Sequence, residues 1–238
     1  MKPEILIVKN LSREGPGLLE VILKEYGILY HLVDLDQGND FPVVENYKAL
    51  VVLGGPDSAN DDTGKMKIEL SRIRDVIANK IPYLGICLGL QTLVKAAGGK
   101  ILKSPVREIG FLDPEGKPFT VELTDTGKKD PLFEGLNHSF HVFHLHGETV
   151  ELSSDMSLLA KGKFCQNQIA KVGERAYGIQ CHFELTKEMF EVWIDEDTDL
   201  LSLNTEELRK HFQSIHEEYE RVGKQLFKNF LKLSGFIE

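Results

Sequence analysis

Basic clusters are absent from this sequence. Its 28 lysines and arginines stand against 37 acidic residues, a formal net charge of -9, and no Lys/Arg-rich run interrupts the chain. That balance gives no electrostatic footprint for a polyanion, so neither nucleic acid nor an anionic membrane is an expected partner. Long hydrophobic runs are lacking too. Near the N-terminus only Ile5 to Val8 is continuously apolar, far short of a signal-peptide core or of the roughly 20 residues of a membrane span. Cysteine is scarce, with three residues at 87, 165 and 181 in no paired spacing. This excludes a disulfide framework or a cysteine zinc site and fits a soluble protein of the reducing cytoplasm. There is no internal repeat, low-complexity tract or Pro/Gly/Ser-rich linker, so one compact domain is expected, and 42% hydrophobic residues in 238 supply an ample core.

What is present is a rhythm. Apolar runs at Ile5 to Val8, Ile28 to Val33, Ala49 to Gly55 and Pro82 to Ile86 alternate with helix-like stretches around Leu18 to Tyr26, Lys65 to Lys80 and Leu88 to Ala97. Alternation of this kind predicts an α/β fold with a mainly parallel central sheet flanked by helices on both faces. From Gly98 to about Gly178 short β-like segments broken by turn signals predict a small antiparallel extension. Asn204, with Glu207 three residues on, predicts the start of a long C-terminal helix. Its apolar stripe runs through Leu208, Phe212, Ile215, Tyr219, Val222, Leu226 and Phe230, and would pack on the parent domain or on a partner.

In parallel sheets chemistry gathers beyond the carboxyl ends of the strands. After Ile86 stands Cys87, with Gly85 and Gly89 two residues to either side. This spacing suits a nucleophile elbow, a tight strand-to-helix turn that presents the sulfur at a helix N-terminus, where free N–H groups and the helix dipole favour an anion. A small buried cysteine at such a junction would show the same letters. A second apolar strand ends in His182, two residues before Glu184. An imidazole can serve as base and then acid for thiol attack on an amide, and a carboxylate on its far nitrogen would fix the tautomer. A structural histidine at a strand end is the other reading. The third signal is the loop Leu53 to Ser58, Gly-rich after a buried strand. It lacks the lysine and Ser/Thr of a phosphate-binding loop. It could be a plain turn, or the Gly55 N–H could join the Leu88 N–H in an oxyanion hole.

The motifs GGP (Gly54 to Pro56), GICLGLQ (Gly85 to Gln91) and GIQCHFE (Gly178 to Glu184), in this order and at these separations, resemble the class I (triad) glutamine amidotransferases over roughly residues 1 to 190. AGGKIL (Ala97 to Leu102), REIG (Arg107 to Gly110) and FHLHGETV (Phe143 to Val150) resemble the amidotransferase domain of GMP synthetase in particular. The resemblance implies a flavodoxin-like amidotransferase domain over 1–190 and a helical extension over 191–238 packed on it. It implies Cys87, His182 and Glu184 as the triad, Gly55 and Leu88 as the oxyanion hole, and Gln91 with the backbone around Leu145, Gly147 and Glu148 as the holders of glutamine. Two residues depart from the family pattern: Phe183 stands where proline is usual, and Cys181 where an aromatic residue is.

No stretch resembles an ATP-pyrophosphatase module, so GMP synthesis by this chain alone is not expected. Leu185 to Met189 with Trp193 resembles free-standing members of the class. The expected function is hydrolysis of a γ-glutamyl amide through a thioester, without cofactor or metal, either for a separate synthetase or alone as a γ-glutamyl hydrolase. A catalytically silent binding module is the reading from another class. His138, His141, His144 and His146 invite a metal, but no acidic or cysteine ligand accompanies them at a familiar spacing. Cys165 reads as an ordinary thiol, and Asp195 to Asp197 as a solvated loop, with cation or partner binding as the other reading.

Overall fold

Consecutive residues of the first strand part company. In the computed structural model, which describes residues 4–238, Ile5 and Ile7 of β1 (Ile5–Lys9) enter one buried cluster while Leu6 and Val8 enter another. Side chains alternate across a strand, so a strand covered on both faces must be apolar at every position. The same holds for β3 (Ala49–Val52), β4 (Tyr83–Ile86) and β11 (Ala176–Ile179), all buried throughout. The remaining parallel strand, β2 (Tyr30–Asp34), lies at the sheet edge and exposes His31 and Leu32.

The sheet has nine strands among the described residues. The parallel part runs β2-β1-β3-β4-β11, the flavodoxin-like order of a doubly wound sheet. Beyond β11 the neighbours are antiparallel: β10 (Ile169–Val172), β9 (Met156–Gly162), β6 (Thr120–Leu123) and β7 (Ser139–His141). A separate antiparallel ribbon joins β5 (Lys100–Gly110) to β8 (His144–Glu151). The predicted antiparallel extension is thus split between four strands added to the main sheet and this ribbon.

Helices cover both faces. Helices α2 (Gly64–Ala78) and α3 (Leu88–Ala96) bury their apolar sides in the cluster that takes Leu6 and Val8. Helices α1 (Leu18–Glu25) and α6 (Thr205–Leu233) share the cluster that takes Ile5 and Ile7, joined there by α4 (Lys187–Glu196) and the short α5 (Thr198–Leu201). Starts are capped as their sequences dictate: Thr63 accepts from the Met66 N–H, Thr186 from that of Met189, and Asn204 from that of Glu207. Six of the seven stripe residues of α6 are buried against this core and Ile215 packs beside them.

The acidic run Asp195 to Asp197 corrects the loop expectation. Asp195 and Glu196 finish α4, and Asp197 caps α5, accepting from the Asp199 and Leu200 N–H groups while pairing with Arg13. Among the described residues no helix is long and apolar enough to cross a membrane.

Candidate active site

Strand β4 turns into α3 at Cys87, and the turn has no room for side chains on either flank. A Cβ on Gly85 would lie 2.2 Å from the Gly89 carbonyl oxygen, and one on Gly89 2.2 Å from that of Val52. Cys87 itself has φ 53° and ψ -105°, a conformation that costs a non-glycine residue about 1–3 kcal/mol and persists only where its surroundings hold it. One such hold is the 2.7 Å bond from its N–H to the Ile179 carbonyl of the neighbouring strand. Cys87 is 6% exposed and lines a cavity of about 470 Å³.

Because β11 pairs in register with β4, Ile179 opposite Ile86, the residues just past it arrive beside the elbow. His182 follows, with its backbone fixed on both sides: its N–H donates to the Phe143 carbonyl at 2.9 Å and its carbonyl accepts from the Tyr219 hydroxyl at 2.8 Å. The ring stands edge-on to Trp193, centroids 5.1 Å apart. Nδ1 donates to Glu184 Oε1 at 2.6 Å, while Nε2 is buried without a hydrogen-bond partner among the described residues. Burial works against an imidazolium here, but the Glu184 carboxylate and then Cys87 outweigh it and hold the His182 pKa well above its ordinary value. The second Glu184 oxygen accepts from the Phe183 N–H at 2.9 Å.

Gly54 and Gly55 follow β3 and are pressed against the elbow. A Cβ on Gly54 would lie 3.4 Å from that of Cys87, and one on Gly55 2.5 Å from Asn10 Cβ. The N–H groups of Gly55 and Leu88 donate to no acceptor among the described residues. Gln91 of α3 reaches across to the Glu148 carbonyl at 3.5 Å and to Gln180 Oε1 at 3.4 Å. The start of β8 brings the Leu145 carbonyl within 3.9 Å of the Cys87 sulfur, and the Glu148 carboxylate accepts from Ser58 at 2.8 Å. Cys87, Gly55, Gln91, Leu145, Gly147 and Glu148 all line the one cavity, and His182 and Glu184 lie behind Cys87.

Sequence reasoning missed several residues here. Gln180 is wholly buried with its amide 3.7 Å from the Cys87 sulfur; its place two residues before His182 was the available signal. Glu14, the Arg13–Asp197 pair and the Arg107–Asp199 pair also line the cavity; Arg107 falls in the REIG stretch and Asp197 in the acidic run, but neither signal places them at the site. Of the four histidines, His138 is exposed and His141 half-buried, whereas His144 and His146 are buried with Glu108, which lies 2.9 Å from His146. The acidic neighbour that linear spacing failed to supply therefore comes from β5. His146 also contacts the Glu148 carbonyl at 3.1 Å, and Gln168 donates to Glu108 at 2.9 Å, so the cluster is hydrogen-bonded as it stands. Cys165 and Cys181 are buried away from the cavity lining; burial pushes the Cys165 thiol up to about 11 and that of Cys181 well above its ordinary value.

A flavodoxin-like sheet with a strained cysteine turn beside a buried histidine–glutamate pair defines a doubly wound α/β protein with its candidate site at the carboxyl ends of the strands. Comparison with known proteins narrows this: residues 18–194 match the family model described as glutamine amidotransferase class-I, and the chain belongs to that family. It is 27% identical over 196 residues to the glutamine amidotransferase-like protein YfeJ of Salmonella typhimurium, covering 79% of this chain and 78% of that one. It is 32% identical over 188 residues to the glutamine-hydrolysing GMP synthase of Thermosipho melanesiensis, covering 78% of this chain but only 33% of that enzyme. The chain thus spans about a third of the length of such GMP synthases. A glutamine amidotransferase of Thermotoga maritima has the same fold, with a TM-score of 0.83 at 23% identity, covering 98% of this chain and 99% of that one.

A proline, the residue expected at position 183 from the family resemblance, would have no N–H. Phe183 has one and uses it on the Glu184 carboxylate.

Proposed function

We propose that this protein hydrolyses a γ-glutamyl amide, with Cys87 as nucleophile, His182 as base and then acid, and Glu184 as the group that orients His182. The observation that carries the proposal is the 2.6 Å contact of His182 Nδ1 with Glu184, which leaves Nε2 as the free ring nitrogen beside a cysteine held in a strained elbow.

In this reading Glu184 keeps one proton on Nδ1 and Nε2 holds the proton taken from Cys87, in line with the raised His182 pKa, so that the sulfur attacks the side-chain carbonyl as a thiolate. The N–H groups of Gly55 and Leu88, free of other acceptors, receive the developing oxyanion. Collapse breaks the C–N bond, the imidazolium hands its proton to the departing nitrogen, and a γ-glutamyl thioester remains. Water activated by His182 then releases glutamate. Gln91 and the β8 backbone at Leu145, Gly147 and Glu148 hold the glutamyl half. Residues 1–190 carry this chemistry and 191–238 buttress it.

The GMP synthase relatives make a separate synthetase that accepts ammonia one candidate partner, and a γ-glutamyl hydrolase acting alone is the other form of the same chemistry. Release of ammonia or amine from glutamine and from a panel of γ-glutamyl amides, with wild type beside Cys87→Ser, tests the proposal. Cys87-dependent release is expected. Release unaffected by Cys87→Ser would overturn the assignment of the nucleophile, and no release from any substrate would favour a silent module.

A further inference from the structure

Most charges around the cavity are already matched. Arg13 pairs with Asp197 and Arg107 with Asp199, each at 2.5 Å; Lys65 pairs with Asp57 at 2.6 Å, and His182 with Glu184. Glu14 is different. The residue is 6% exposed, it lines the cavity, and its Oε2 has no hydrogen-bond partner among the described residues. The oxygen lies against Gly54: the point a Cβ there would occupy is 2.2 Å from Glu14 Oε2 and 3.4 Å from Cys87 Cβ. An unpartnered carboxylate in the interior is strongly disfavoured, and burial accordingly pushes the Glu14 pKa up to about 7. The charges that act on it come from every side: His182 and Arg13 favour its ionised form, and Glu184 and Asp197 oppose it.

Position says which part of a substrate Glu14 would meet. The leaving nitrogen has to face His182, the source of its proton, while the glutamyl half runs past Gln91 and β8. Trp193, whose ring stands edge-on to His182, donates to the Arg13 carbonyl at 3.3 Å, so the residue before Glu14 is tied to the His182 side of the cavity and Glu14 stands with it on the leaving-group side. The wall beyond it continues past the Arg13–Asp197 pair to the exposed Glu196, so Glu14 and Glu196 are the carboxylates on this side without a basic partner among the described residues.

We propose that Glu14 recognises a cationic leaving group, so that the preferred substrate is a γ-glutamyl amide of a diamine, whose free ammonium binds the Glu14 carboxylate. This rests on the hydrolase reading above. The amide C–N bond breaks as the thioester forms, the departing nitrogen takes its proton from His182, and water cleaves the thioester. The products are glutamate and the free diamine, and water is the sole co-reactant.

The test separates binding from turnover. Calorimetric titration of Cys87→Ala with the γ-glutamyl monoamide of diaminobutane and with that of pentylamine compares ligands of equal length, one carrying the second ammonium. About tenfold tighter binding of the diaminobutane amide at about pH 8 is expected, a difference within the reach of one charge-assisted hydrogen bond. The preference should shrink as pH falls to about 6 and Glu14 takes up its proton, and in Cys87→Ala/Glu14→Gln the ratio should fall to about one. Equal affinities, a preference that survives Glu14→Gln, or a preference flat across this pH range would each overturn the proposal; the last needs no second variant. Turnover by wild type tells this failure from that of the hydrolase reading. Release of pentylamine with no preference for the cation sinks the Glu14 site alone, whereas preferential binding without release of either amine sinks the hydrolase reading alone.

Discussion

The hydrogen bond from Phe183 N–H divides the labour of Glu184, one oxygen holding the backbone and the other the His182 ring. An ionised carboxylate can accept both bonds, but an amide in its place can accept with only one end. Glu184→Gln should therefore either present an N–H to His182 Nδ1 or give up Phe183. In both cases the negative charge that raises the His182 pKa disappears. A fall in kcat of about a hundredfold or more is expected from losing a properly oriented base, together with a His182 pKa moved down, readable by NMR titration. Unchanged kcat and titration would show that Glu184 does not orient the imidazole. At this scale the sequence was legible where chemistry is local: Gly85, Cys87 and Gly89 define their own turn, and His182 and Glu184 are two residues apart. Glu14 could not be read this way, because what makes it part of the site is a cavity lined by six separate segments, and Gln180 offered only its place two residues before His182.

Helix α6 reaches the same strand end from outside. Tyr219 donates to the His182 carbonyl, a Cβ on Gly223 would lie 2.3 Å from the Phe183 carbonyl, and Asn229 donates to the carbonyls of Leu132 and Glu134 at 2.9 Å each. The helix is thus fitted to irregular backbone that no sheet neighbour satisfies. Tyr219→Phe keeps the ring packed against Phe212 and Phe183 but leaves a buried carbonyl without its donor. A loss of about 1–3 kcal/mol is expected, measured as a lower urea midpoint at unchanged slope. A midpoint equal to wild type would mean that the bond contributes nothing net. The existence of this helix, its cap and its apolar stripe were legible because a 3.6-residue period over many turns is a strong signal. The pairing of β5 with β8 was not, since short segments between Gly98 and Gly178 announce strands without naming their partners. The loop reading of Asp195 to Asp197 failed for a related reason: charge marks exposure, and a helix end is as exposed as a loop.

Across the whole molecule, two buried carboxyls with raised pKa values, Glu14 and Glu69, set an unusual dependence on pH. Glu69 of α2 is fully buried beside Asn10, which donates to it at 3.4 Å, and its second oxygen has no partner among the described residues. Burial pushes the pKa of each from an ordinary 4.5 to about 7. A folded state that binds the proton more tightly than the unfolded chain is favoured while the proton is on. The contribution is therefore complete below 4.5 and declines as pH rises through about 7, by about 3 kcal/mol for each group. The raised pKa of His182 acts in the same direction, with its contribution lost as pH climbs past that higher value. Lowered carboxylates such as Glu20, held down by the Tyr30 hydroxyl, work the other way, since their stabilisation is lost as pH falls. Stability should therefore peak in mildly acidic solution, with Tm falling from about pH 5 to about pH 8. Glu69→Gln, which keeps the shape and removes the titration, should flatten that fall, and Glu14→Gln/Glu69→Gln should flatten it further. A wild-type Tm that rises over this interval, or a slope indifferent to both substitutions, would mean that these carboxyls are ionised in the folded protein and find a counter-charge. If Glu14 alone behaves so when a diamine amide is present, with Tm raised by the ligand more at the alkaline end than at the acid end, that counter-charge is the ligand's ammonium.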